Sequence, residues 1–173
     1  QRDFVKDDPI PPHCRSFLQA FIQGSLEPAV DKVHRRIKPG EIPVLVATSG
    51  TAMAIGALAA SEDERPPLKL HGYRVSRQRL DRVVEKLVKM TPEQRRDLSP
   101  INDRRAEIIV PGALILQTTM QMLGVEEFVL SERALREGLI VDWMPRHGLL
   151  EDRFSFQSSI RQRTVIHQVQ RFA

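Results

Sequence analysis

Apolar positions along this chain switch between a helical period and short unbroken runs. Phe17, Leu18, Phe21, Ile22, Val30, Val33 and Ile37 recur at helical spacing after Pro11-Pro12, the mark of an amphipathic helix. Gly24 and Pro28 interrupt that pattern and Pro39-Gly40 ends it, so the spacing predicts a kinked helix or two short ones. Pro43 to Ala47 is then a short apolar run without alternation. It reads as a strand buried on both faces, as in the parallel part of an α/β sheet. Thr48-Ser49-Gly50-Thr51 is a turn, and residues 52–60 form a helix of small side chains.

A charged, proline-ended loop spans residues 61–67, and residues 68–75 alternate loosely, as a strand does. Ser76 can cap a helix whose buried stripe is Leu80, Val83, Val84, Leu87 and Val88. Thr91-Pro92-Glu93-Gln94 opens a short helix with a capping box. Asn102 or Asp103 can cap the next, which buries Ala106 to Leu123 on one side, bends or turns at Pro111-Gly112 and stops at Gly124. Residues 127–130 read as a third strand, and Ser131 as the cap of a helix through Trp143. A turn at residues 145–148 and an amphipathic helix over 155–173 complete the chain. Short strands alternating with helices predict an α/β fold. Three strands among this many helices look like half of a larger unit.

Composition narrows the function classes. The 173 residues suffice for one packed domain, with hydrophobic and charged fractions of 41% and 28% typical of a globular chain. No apolar run approaches the roughly 20 residues of a membrane span, and no signal-peptide pattern opens the sequence. One cysteine, Cys14, cannot form an internal disulfide, which suits a reducing, cytoplasmic setting. The net charge of +4 suits a polyanionic partner. Aromatics at 5% and dispersed arginines argue against nucleic acid as that partner. Gln1 is not a methionine and the last residues read as helix, so both ends look cut.

Candidate chemistry concentrates at three places. The run Val44 to Ala52 is a strand, a Gly/Ser/Thr turn and a helix start. Ligands of open α/β sheets bind beyond the carboxyl ends of strands, and a helix N-terminus suits phosphate. Gly50 allows a close approach, and Ser49 and Thr51 add hydroxyls. The sequence fits neither a Walker loop nor a dinucleotide fingerprint, and a purely structural strand–turn–helix has the same pattern. Arg104-Arg105 offers guanidinium forks at a helix start, or simply two solvated surface arginines. Residues 130–138 place a third helix start after a strand, with Arg133 and Glu137 spaced as an ordinary surface pair. The five histidines are scattered without metal-ligand spacing, and no serine has a nucleophile context.

In this order, Ala47-Thr48-Ser49-Gly50-Thr51, the stretch Arg105 to Pro111-Gly112-Ala113, and Leu135-Arg136-Glu137-Gly138 resemble the exopolyphosphatase/guanosine pentaphosphate phosphatase (Ppx/GppA) family. Thr91 to Arg95 fits its usual spacing, and the likeness runs along nearly the whole chain. The turn departs from the family in carrying less glycine. The resemblance implies a ribonuclease H-like lobe of the actin-like ATPase superfold. Residues 1–150 would be the second lobe and 151–173 the start of a truncated helical region. It implies hydrolysis of a terminal phosphoanhydride in inorganic polyphosphate or guanosine pentaphosphate, with Mg²⁺ serving the full enzyme. Partners would be that substrate, a missing N-terminal lobe and a second copy in a homodimer. The catalytic glutamate would belong to the missing lobe, so no catalytic or metal-binding residue is assigned here. Ser49, Gly50, Thr51 and Arg105 are expected to bind phosphate, while Arg136 and Glu137 hold the lobe together. The alternative is a non-catalytic domain of the same fold that senses a nucleotide or anion.

Overall fold

The computed structural model describes residues 9–38 and 40–147. The expected helix over 155–173 lies outside the described residues. The chain divides into two compact units, one through Glu132 and one from Arg133 onward.

The first unit opens with α1, Pro12–His34, a single helix that contains both Gly24 and Pro28. Of the two expected outcomes, a kinked helix or two short ones, the division does not occur. Proline in a helix clashes with the residue four positions back and withholds one N–H. Here that residue is Gly24, and both positions are exposed, so the freed carbonyl faces water. Among the described residues the sheet has three strands, β1 (Leu45–Thr48), β2 (Arg74–Ser76) and β3 (Glu127–Ser131), in the order β1-β3-β2. β1 runs parallel to β3 and β2 antiparallel to it.

The register sets Leu45, Phe128 and Val75 in one row, and Val46, Val129 and Arg74 in the next. Successive strand residues face opposite sides. Ala47, Phe128, Leu130 and Val75 are buried, but Val46 is 55% exposed and Val44 77%. Among the described residues β1 is covered on one face, where cover on both was expected. Among the same residues β1 is the outer strand of the sheet, and α2 (Gly50–Ala60) packs on it. The predicted strand over 68–75 shrinks to three residues. Gly72 turns the chain at φ +81°, and Leu68 is fully exposed. The Gly72 N–H still donates to the Leu130 carbonyl at 2.8 Å, which keeps this segment beside β3.

Helix α2 packs on β1 and β3, α3 (Arg77–Lys89) packs on β2, and α6 (Ile109–Leu123) packs on α1, α2 and α3. A Cβ at Gly56 would collide with the Leu130 side chain, so the missing methyl group is what seats α2 on the sheet. The predicted stripe of α3 is buried, and the Ser76 hydroxyl accepts the Arg79 N–H at 3.3 Å as its cap. Thr91 and Gln94 form the expected capping box of α4 (Pro92–Arg96). Asn102 caps a separate single turn, α5 (Asp103–Ala106). The break falls ahead of Pro111 rather than at it. Pro111 stands third in α6, inside the first turn, where an N–H has no helical partner anyway.

Arg95 in α4 is completely buried. Its Nε donates to the Leu87 carbonyl at 3.1 Å, NH1 to Ala106 at 2.9 Å and NH2 to Met90 at 2.8 Å. One guanidinium thus joins the carboxyl ends of α3 and α5, where helix dipoles favour positive charge. Losing it would leave buried carbonyls unpaired, at a cost of about 1–3 kcal/mol each.

In the second unit α7 spans Leu135–Arg146 and continues through Pro145, where a turn was expected. Ser131 ends β3 and does not cap this helix. The Glu137 carboxylate accepts the Ala134 N–H instead, at 2.8 Å.

A second polar cluster pins the loop after α2. The Tyr73 hydroxyl donates to Asp63 Oδ2 at 2.6 Å, and Arg79 reaches both the Tyr73 oxygen and Asp63 Oδ1 at 2.5 Å. Hydrogen bonds from Arg79 first, then Tyr73, hold the Asp63 carboxyl below its usual pKa. A carboxyl depressed by folding stabilises the fold above its unfolded pKa of about 4, and that share is lost as pH falls through the lower folded value. Calorimetry from pH 6 down to pH 2.5 is expected to show a midpoint that falls below about pH 4. Asp63→Asn is expected to melt lower at pH 6 and to lose less on acidification.

Candidate functional site

The carboxyl ends of β1 and β3 lie side by side, with Thr48 opposite Ser131. At this edge β1 turns into α2 through Ser49. The Met53 N–H makes the first helical bond, to the Ser49 carbonyl at 3.0 Å. The N–H groups of Gly50, Thr51 and Ala52 precede it and have no partner within the helix. The Ser49 side chain does not cap them. Together they form the positive end of the helix dipole.

Ser49 is the one described non-glycine residue at positive φ, with φ 106° and ψ 163°. That region is open essentially to glycine alone and costs another residue about 1–3 kcal/mol. The strain turns the chain sharply out of β1, so that α2 starts immediately at the sheet edge. The sparse glycine noted in the sequence of this turn therefore has a physical consequence: a serine holds a glycine conformation.

Gly50 is where the turn meets Arg105. A Cβ on Gly50 would stand 2.8 Å from the Arg105 Cζ and 3.0 Å from its Nε, with NH2 closer still. The guanidinium thus lies directly on the bare backbone that opens α2. Arg105 is half-buried and pairs with no carboxylate among the described residues. Its backbone N–H is fixed by the Asn102 side chain at 3.0 Å. Its neighbour Arg104 is exposed. Thr51 comes next: a Cβ on Gly112 would be 2.5 Å from the Thr51 methyl, so that methyl group rests on bare backbone in the first turn of α6.

Of the four residues read from the sequence, Gly50 and Arg105 are in contact, and Ser49 and Thr51 flank them on the same turn. Thr51 spends its methyl group on packing, a use its reading as a hydroxyl donor did not include. Gly112 and Arg95 were missed as parts of this arrangement. Gly112 read as a bend, and Arg95 only as the end of the Thr91 to Arg95 stretch that fits the family's spacing. Arg136 and Glu137 lie in the second unit, where Glu137 binds backbone of its own helix.

The site holds backbone N–H groups, two hydroxyls and a guanidinium, all suited to an anion. It does not suit Mg²⁺, which calls for carboxylate oxygens. Among the described residues no three His, Cys, Asp or Glu side chains gather closely enough to hold a metal ion. No helix among them is long and apolar enough to cross a membrane.

Comparison with known proteins gives this geometry a family. The model of the Ppx/GppA phosphatase family matches residues 1–147. The chain belongs to the Ppx/GppA family. Exopolyphosphatase 1 of Mycobacterium leprae is 29% identical over 146 residues, which is 81% of this chain and 40% of that protein. Exopolyphosphatase 2 of Mycobacterium tuberculosis is 29% identical over 129 residues, 72% of this chain and 39% of that one. This chain therefore spans about two fifths of those relatives, at 40% and 39%. The crystal structure of the Aquifex aeolicus Ppx/GppA family member superimposes with a TM-score of 0.71 at 23% identity, covering 84% of this chain and 45% of that one. An exopolyphosphatase from Cytophaga hutchinsonii gives 0.72 at 18% identity, over 86% and 46%. These likenesses establish the ribonuclease H-like α/β fold of the actin-like superfold.

Strain at Ser49 predicts a specific stability change. Ser49→Gly removes no cap and relieves about 1–3 kcal/mol, less roughly 0.5–1 kcal/mol for the added freedom of the unfolded chain. Thermal unfolding is expected to move up by about 2–4 °C for each kcal/mol gained at this chain length. Ser49→Ala, which keeps a Cβ, is expected to give no such gain.

Proposed function

We propose that this chain is the substrate-binding lobe of a phosphatase that removes terminal phosphate from inorganic polyphosphate or guanosine pentaphosphate. The contact of the Arg105 guanidinium with Gly50, at the N-terminus of α2, carries this reading. Family membership and the named exopolyphosphatase relatives support it.

A terminal phosphate seated at the β1–α2 turn would meet backbone N–H groups on one side and the Arg105 fork on the other. Phosphoryl transfer depends mostly on positioning and on stabilising charge over the transferred oxygens. A preorganised guanidinium and a helix N-terminus are means to that end. Among the described residues Arg105 pairs with no carboxylate. The reading therefore gives this lobe binding and charge stabilisation, and leaves water activation and any divalent cation to groups elsewhere in the full protein. Its extent, residues 1–150 with a further helical region after it, is part of the same proposal.

Gly50 belongs to this reading because an added methyl would press on the far end of a flexible side chain. Gly50→Ala would shift Arg105 at little cost to folding.

Calorimetric titration with tripolyphosphate tests the assignment. A charge-assisted contact worth about 1.5–3 kcal/mol corresponds to roughly 10–100-fold in Kd. Arg105→Ala is expected to weaken binding by that factor, Arg105→Lys by less, and Gly50→Ala measurably without lowering the unfolding midpoint. Equal affinity of Arg105→Ala and wild type would remove Arg105 from the site.

A further inference from the structure

Arg105 is carried by a helix too short to hold itself. α5 has four residues, Asp103–Ala106, a single turn, and one turn has no independent stability in water. Two side chains fix its backbone. Asn102 receives the Arg105 N–H at 3.0 Å. Arg95 donates to the carbonyl of Ala106, the very next residue, at 2.9 Å. Asn102 is exposed, whereas Arg95 and Ala106 are both at 0% exposure. The buried bond is shielded from competing water, and it is aligned by the same guanidinium's bonds to Leu87 and Met90 at the end of α3.

We propose that Arg95 is a positioning residue for the anion site. Its guanidinium registers α5 against the end of α3, and so sets where Arg105 lies over Gly50. This inference rests on the reading of Arg105 as a phosphate contact. Arg95 itself is shut away from solvent, and its guanidinium donates to these three carbonyls. Lysine cannot replace it: an ammonium gathers its donors on one atom, whereas the planar fork reaches three separate carbonyls.

The test uses the full chain and tripolyphosphate as the probe. Kd is measured for wild type, Arg95→Lys, Arg105→Ala and the double variant, at a temperature where circular dichroism shows each to be folded. Arg95→Lys is expected to weaken binding about tenfold, and by less than about twofold once Arg105 is already alanine. A purely structural Arg95 would lower the unfolding midpoint and leave Kd unchanged, or weaken binding equally in both backgrounds. Either result overturns the inference.

Should Arg95→Lys not fold, wild-type protein labelled with ¹⁵N decides. Coupling between sites is reciprocal, so saturating tripolyphosphate is expected to slow proton exchange at the Arg95 guanidinium while the Gly50 amide resonance shifts. Unchanged Arg95 exchange beside a shifting Gly50 overturns the inference and leaves the site standing. A Gly50 amide that does not shift, together with a Kd insensitive to Arg105→Ala, overturns the site and this inference with it.

Discussion

A guanidinium shut away from water must place its N–H groups on acceptors, or the fold bears the cost of a buried unsatisfied charge. Arg95 meets that demand with carbonyls drawn from α3, from the residue that ends it, and from α5. The end of α3 and the end of α5, neighbours along the chain, are thereby held at one point. The end of α3 is anchored to the sheet through the buried stripe Leu80 to Val88. α5 leads directly into α6, which covers α2 and α3. The position of Arg105 is thus inherited from the core through a polar joint, and no long flexible loop intervenes.

Absent side chains matter as much as present ones. Gly56 admits Leu130 and brings α2 down onto the sheet. Gly112 admits the Thr51 methyl, and Gly50 admits the Arg105 guanidinium. These approaches fix α2 on three sides, against β3, α6 and α5. The N-terminus of α2 is consequently packed closely on its neighbours, and its strained entry at Ser49 is sustained by that packing. Preorganised donors cost little reorganisation when charge arrives, which is the property a phosphate-binding turn needs.

Much of this was legible from residue order. The caps at Ser76 and Thr91, the stripe of α3 and the strand–turn–helix at β1 each follow from local chemistry, and the structure bears them out. Family membership followed from three short motifs in sequence. What stayed hidden depends on tertiary context. An apolar run such as Val44 to Ala47 does not say what covers each face of its strand, and among the described residues two of its valines are exposed. Pro28 reads as a kink or a break, yet one helix runs through it, with Gly24 and Pro28 both exposed. Ser131 has the chemistry of a cap, but the sheet claims it for pairing. Arg95 sits among charged neighbours in Glu93-Gln94-Arg95-Arg96 and nothing local marks it as buried. At the candidate site the sequence supplied residue types, and folding supplied the contact between Gly50 and Arg105, 55 positions apart by their numbers.

The central claim is that the turn opening α2 and the Arg105 guanidinium form one anion seat. Anomalous diffraction from crystals soaked in tungstate, a heavy tetrahedral dianion, tests it most directly. A peak is expected within hydrogen-bonding distance of both the Gly50–Thr51 backbone and the Arg105 guanidinium. Strong peaks elsewhere on the molecule, with this turn empty, would contradict it.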